Sequence, residues 1–112
     1  MADIDEDRIA CDAAVTLAFS VLGKRWNGMI VSALGTSAAT FVGLRRAVPG
    51  ISDAVLSDRL AELAHAGIVV RSVDPGPPVG VSYRLSGAGE RLLPILDQLG
   101  AWASENLEPR AT

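Results

Sequence analysis

Apolar residues recur at intervals of three and four along most of the chain, with one stretch near residue 70 that alternates instead. Over 13–22, Val15, Ala18, Val21 and Leu22 fall on one helix face and Gly23 supplies a stop, which predicts a short helix. A second helix is predicted from about Lys24 to Leu34, with Trp26, Ile30 and Leu34 stacked at intervals of four and Gly35 where a left-handed cap is easiest. Thr36 and Ser37 turn the chain, and Ala38 and Ala39 form a small connecting segment. Thr40 is then placed to cap a third helix whose Phe41, Leu44 and Val48 face the core. Its last turn carries Arg45 and Arg46, where cations suit the helix dipole, before Pro49 and Gly50 end it.

Ser52 is the next cap. Leu56, Leu60 and Leu63 give the fourth helix one buried seam up to Gly67 and leave its other side for another use. Residues 68–73, rich in β-branched side chains, read as a strand, 74–80 as a turn dense in Pro and Gly, and 81–85 as the return strand of a hairpin. Ser86 opens a final helical region in which Leu92, Leu96, Leu99 and Ala103 form one line and Ile95 and Trp102 a second. That is more apolar face than a small monomer covers, so a partner helix is expected there. Pro94 suits a helix starting near Ala88 and otherwise should bend it.

At 112 residues the chain is expected to form one domain. With 49% hydrophobic and 4% aromatic residues, its core must be built from Ala, Val and Leu. The formal net charge is −3, but the charge is segregated. Asp3, Asp5, Glu6, Asp7 and Asp12 crowd the first twelve residues against Arg8 alone, whereas residues 24–84 carry seven bases and four acids. One cysteine, Cys11, and one histidine, His65, exclude a disulfide framework and any Cys-rich or His-based metal site, so neither metal nor cofactor is expected. His65 reads as a cation or solvated side chain at a helix end. A reducing, cytoplasmic setting is the default. The acidic start is not that of a secretory signal. The uncharged run 26–44 is broken by Asn27, Ser32, Thr36, Ser37, Thr40 and three glycines, which reads as buried helix plus turn and not as a membrane span.

Two helices joined by a tight turn at 49–52 and followed directly by a hairpin are the order of a winged helix-turn-helix, whose second helix enters the major groove. The fold class is therefore mainly α with a small β-hairpin (α+β), a winged helix-turn-helix with terminal dimerisation helices. Ser52, Asp53, Ser57 and Asp58 stand on the exposed N-terminal side of the fourth helix. Ser bonds base edges or phosphates, Asp accepts from cytosine N4, and Arg59 reaches guanine or phosphate. Lys24, Thr40, Arg45 and Arg46 are candidate backbone contacts, and Arg71 and Arg84 on the strands are candidates for a minor groove. For Arg45 and Arg46 a merely solvated face is the other reading.

Taken in order, Cys11, Gly23-Lys24-Arg25-Trp26, Phe41-Val42-Gly43-Leu44-Arg45-Arg46, Pro49-Gly50-Ile51-Ser52, Leu56-Ser57-Asp58-Arg59-Leu60-Ala61-Glu62-Leu63, Gly67-Ile68-Val69, Pro77-Pro78-Val79, Ser82-Tyr83-Arg84-Leu85-Ser86, Gly89, Pro94 and Trp102 form an ordered set. In this the chain resembles the HxlR-type winged-helix transcriptional regulators, small dimeric bacterial DNA-binding proteins. The resemblance implies a homodimer joined through its terminal helices, here by Leu92, Leu96, Leu99, Trp102 and Ala103, with two recognition helices set on a roughly palindromic duplex operator. It divides the chain into an acidic arm at 1–10, a winged-helix domain at 11–107 and a short C-terminal segment at 108–112, the two ends expected to be flexible. The chain departs from the family pattern at Ala54 and Ala61, where members tend to carry Lys or Arg, and at Gly43, where an acid is usual. With Arg59 the recognition helix's one base, and none at the wing tip, a salt-sensitive binder of modest affinity is expected.

The resemblance also makes Cys11 a candidate sensor of oxidants or electrophiles, since family members react there through a partly exposed thiolate. Asp12 and the acidic arm disfavour a thiolate, so a packing cysteine is the other reading. Trp26 and Trp102 are candidates for lining a small-molecule effector groove, with core packing the better account of both. Neither a Ser-His-Asp nor a Cys-His set nor a phosphate loop is present, so an enzyme is not expected. The alternative to a DNA-binding regulator is a winged helix used for protein contacts.

Overall fold

The computed structural model describes residues 12–109. The expected acidic arm at 1–10, Cys11 and residues 110–112 lie outside the described residues. Six helices and one hairpin follow one another as α1 (Ala13–Leu22), α2 (Asn27–Leu34), α3 (Phe41–Ala47), α4 (Asp53–His65), β1 (Val69–Asp74), β2 (Gly80–Leu85), α5 (Gly87–Glu90) and α6 (Leu92–Asn106). No helix among the described residues is long and apolar enough to cross a membrane.

Short polar side chains start α1, α3, α4 and α5 as their chemistry dictates, by accepting from backbone N–H groups that have no partner in the first turn. Asp12 Oδ1 accepts from Ala14 and Val15 at 2.8 and 3.2 Å. Thr40 Oγ1 accepts from Gly43 at 3.1 Å, Ser52 Oγ from Val55 at 3.2 Å and Ser86 Oγ from Gly89 at 3.1 Å. The Ser86 hydroxyl also donates to the Gly67 carbonyl at 2.6 Å, which ties the chain entering α5 to the turn leaving α4.

The core is wholly aliphatic: Ile30, Val31 and Leu34 of α2, Leu44 and Val48 at α3, Ile51, the three α4 leucines Leu56, Leu60 and Leu63, and Val69 and Leu85 of the hairpin. The predicted α4 seam is thus buried entire. Between α3 and α4, Gly50 takes a φ of +91°, a region glycine enters without steric cost.

Two boundaries differ from expectation for identifiable reasons. α2 begins at Asn27 instead of Lys24, because Trp26 has a φ of +83° and a left-handed residue cannot continue a right-handed helix. Its ring is held by tertiary contact, lying beside Gly50 with the Arg25 guanidinium 4.5 Å from its centroid. The final helical region is two helices, α5 and α6, separated at Arg91. Pro94 is then the third residue of α6, where its missing N–H costs nothing.

The hairpin is antiparallel, with Val69 opposite Leu85, Arg71 opposite Tyr83 and Val73 opposite Val81. Ala39 adds a one-residue third strand, exchanging two 2.8 Å hydrogen bonds with Tyr83. In contrast to this packed centre, neither α1 nor α6 has a buried residue. Val15, Leu17 and Phe19 on α1 and Ile95, Leu99 and Trp102 on α6 are at least half exposed, so Trp102 does not pack into the core of its own subunit.

Because Leu56 is fully buried within the seam, Leu56→Ala is expected to lower unfolding free energy by about 2–5 kcal/mol, measured by urea denaturation at fixed protein concentration. A loss below about 0.5 kcal/mol would contradict this placement of α4.

Candidate nucleic-acid interface

Burying Leu56, Leu60 and Leu63 turns the opposite side of α4 outward, and Ala54, Ser57, Asp58 and Ala61 are exposed there. The hairpin follows α4 after a three-residue turn through Gly67, whose φ is +79°. Strand alternation puts Arg71 and Tyr83 on the same hairpin face as the core residues Val69 and Leu85. Arg71 and Tyr83 therefore meet Ser57, Leu60, Ala61 and Ala64 around a shallow hollow of about 160 Å³ between helix and wing. Arg84, paired with Val70, projects from the other hairpin face. The two strand arginines, grouped together from sequence, are thus separated by the pleat.

Other candidates are engaged within the chain. Arg45 Nη1 bonds both carboxylate oxygens of Asp53 at 3.0 and 3.1 Å, which bridges α3 to the first turn of α4. Ser52 and Thr40 are N-caps with outward-facing backbone. Lys24 Nζ and Arg59 Nη1 both lie 3.1 Å from Glu62 Oε2. The second carboxylate oxygen, Oε1, is 3.5 Å from Asn27 Nδ2, which also donates to the Val21 carbonyl at 2.7 Å. Arg46, Ser57, Asp58, Arg71 and Arg84 form no side-chain hydrogen bond to another described residue and are exposed.

The Glu62 carboxylate is therefore gripped from two elements. The Lys24 ammonium bonded to it holds its pKa below the ordinary glutamate value, with Arg59 and the Asn27 amide adding to the effect and partial burial opposing it. Asn27, fully buried at the start of α2, and Glu62 are participants that sequence reasoning missed. Glu62 stands three residues after Arg59, a helix pairing visible in sequence. Lys24 is 38 positions away, and no local pattern connects it.

The residues expected at a dimer interface divide. Leu92 and Leu96 are half buried against the core of their own subunit, and Ala103 is partly covered, while Leu99 and Trp102 face outward. With Phe19 and Leu22 of α1, Leu99 and Trp102 line an open apolar groove of about 500 Å³. Trp26 packs at the edge of the core, and His65 is exposed in the last turn of α4.

Comparison with known proteins agrees with this arrangement. Residues 21–111 match the model of the HxlR-like helix-turn-helix family. The chain is 40% identical over 92 residues to the uncharacterized HTH-type transcriptional regulator YvaP of Bacillus subtilis, covering 82% of this chain and 85% of YvaP. It is 41% identical over 95 residues to the HTH-type transcriptional regulator YodB of the same organism, covering 85% of each. The structure of reduced YodB superposes with a TM-score of 0.80 over 91% of this chain and 100% of that one at 37% identity, and diamide-treated YodB with 0.73 over 90% and 99% at 39%. The redox regulator HypR in its oxidized form superposes with a TM-score of 0.78 over 87% of this chain and 100% of that chain at 31% identity.

A depressed carboxylate pKa makes Glu62 stabilising when ionised. Its contribution is fully present above the unfolded glutamate pKa of about 4.3 and is lost as pH falls through the lower folded value. The stability difference between the parent chain and Glu62→Gln, measured by urea unfolding from pH 7 to pH 3, is expected to be constant above about pH 5 and to shrink on further acidification. A difference that does not vary with pH would show that the carboxylate is not held this way.

Proposed function

The chain belongs to the HxlR-like helix-turn-helix family of transcriptional regulators, and from that membership we propose that it works as a homodimer. In this reading it sets two copies of α4 on a roughly palindromic duplex operator in the cytoplasm. The observation that carries the proposal is the two-sided build of α4, whose leucine seam is buried while Ser57, beside Arg71, and Asp58 face outward. A helix held along one side and bare along the other can enter a major groove without unfolding anything. Ser57 and Asp58 are the proposed base-edge contacts, with Arg71 reaching phosphate or minor groove from the wing. Arg46, and Arg84 on the outer hairpin face, are the proposed backbone contacts. Thr40 and Ser52 offer the ends of α3 and α4 to phosphate, as helix N-termini do. The Arg45–Asp53 bridge sets α3 against α4 and leaves Arg45 the weaker contact.

The second copy is proposed to cover the outward residues of α1 and α6, Phe19, Leu99 and Trp102 among them, an exposed apolar surface of the kind that marks an interface. Regulation is proposed to act through Cys11, the one thiol in the sequence. The support is likeness to YodB, whose diamide-treated form is a near structural match, and to the redox regulator HypR.

Three measurements test this. Duplexes selected from a random pool should bind with affinity that falls steeply with salt, and Ser57→Ala with Arg71→Ala should abolish their enrichment. A parent chain that binds no duplex at low salt would leave a protein-contact module instead. Trp102→Glu should give a monomer in sedimentation and lose operator binding. Diamide should release the parent, but not Cys11→Ser, from its operator, and equal behaviour of the two would remove the thiol switch.

A further inference from the structure

We infer that Glu62 is a specificity-setting residue, whose carboxylate, ion-paired with Lys24 and Arg59 beside the recognition helix, cancels one unit of the positive charge that they would otherwise present to DNA phosphate. The inference rests on the DNA-binding reading of α4 and adds to it a residue that contacts no base or phosphate itself.

Three observations lead there. First, both cations converge on a single oxygen of Glu62, each at 3.1 Å, while Asn27 occupies the other oxygen at 3.5 Å. Asn27 is fully buried and anchored to the Val21 carbonyl, so the carboxylate is oriented by the core and not merely by the mobile ends of the two basic side chains. Second, the pairs are only partly shielded, with Lys24, Arg59 and Glu62 side chains 51%, 24% and 30% exposed. Ion pairs that accessible to solvent add little to stability, so the core does not require them. Third, Arg59 is the one Lys or Arg on α4, and Lys24 sits on the turn that packs against it. They are the cations that this helix carries or that pack against it on the side of Glu62.

Phosphate attraction is blind to sequence and sets non-specific affinity through the number of phosphates neutralised. A regulator acts by the ratio of specific to non-specific binding, so removing charge from the reading helix raises that ratio even as it lowers raw affinity. Glu62 performs that subtraction with one carboxylate, which cancels one of the two positive charges it binds.

The test measures binding of the full chain to a random-sequence duplex over a salt series, for the parent, Glu62→Gln, the pair Lys24→Gln and Arg59→Gln, and the triple variant. Glu62→Gln should steepen the slope of log affinity against log salt by up to about 0.9 per subunit, the one unit of charge restored. Its low-salt affinity should rise on the order of tenfold. In the background of the Lys24 and Arg59 pair, adding Glu62→Gln to give the triple variant should no longer steepen the slope, since no cation is left to release. A steepening of the same size in that background would show that Glu62 acts by its own charge and not through the two cations, and an unchanged slope in a folded Glu62→Gln would show that nothing was withheld; either overturns the inference while the DNA-binding reading stands. If Glu62→Gln does not fold, the pair and the triple variant decide by the same comparison. A parent that binds no duplex overturns both readings together.

Discussion

The leucine seam of α4 is the constraint on which the remaining structure depends. Leu56, Leu60 and Leu63 share one buried cluster with residues of α2, α3 and the hairpin, so this helix side completes the core. Without aromatic bulk, that core relies on close interlocking of branched aliphatic side chains, each of which fixes its neighbours' rotamers. A recognition helix seated in this way has little freedom to roll, and its outward side chains inherit a fixed direction from side chains they never touch.

The same economy explains the uncovered helices. Eleven aliphatic residues suffice to join α2, α3, α4 and the hairpin, but they leave nothing to bury α1, which touches the body mainly through Val21 near its C-terminal end. A chain this short encloses a modest fraction of its surface, and six of the eleven exposed large apolar residues among those described lie on α1 and α6. Between these two regions lies the turn of Gly23, Lys24, Arg25 and Trp26. It bonds to the recognition helix through Lys24 and rests on the α3–α4 turn through the Trp26 ring.

Much of this was legible from local pattern. The four-residue spacing of leucines identified the buried side of α4, and Thr40, Ser52 and Ser86 could be recognised as caps because a hydroxyl before an apolar run has few better uses. What escaped depended on distance in the chain. The start of α2 followed a helical pattern that Trp26 breaks, since its left-handed backbone answers to packing beside Gly50 and not to its own propensity. The clamp on Glu62 escaped because Lys24 joins Arg59 at that carboxylate only when the chain folds back. The split of the last helix escaped for a related reason, as Ser86 caps a single turn and the chain restarts beyond Arg91.

Arg71 and Arg84 emerge from opposite faces of one narrow ribbon. Whichever way that ribbon is rotated about its long axis, one charge swings toward α4 as the other swings away. The paired bonds between Ala39 and Tyr83 act as a keel against that rotation. The polarity of the wing is accordingly set by the buried Val69 and Leu85 together with the Ala39 backbone, and a change of side chain at Ala39 that preserved the bonds would leave the wing's electrical handedness intact.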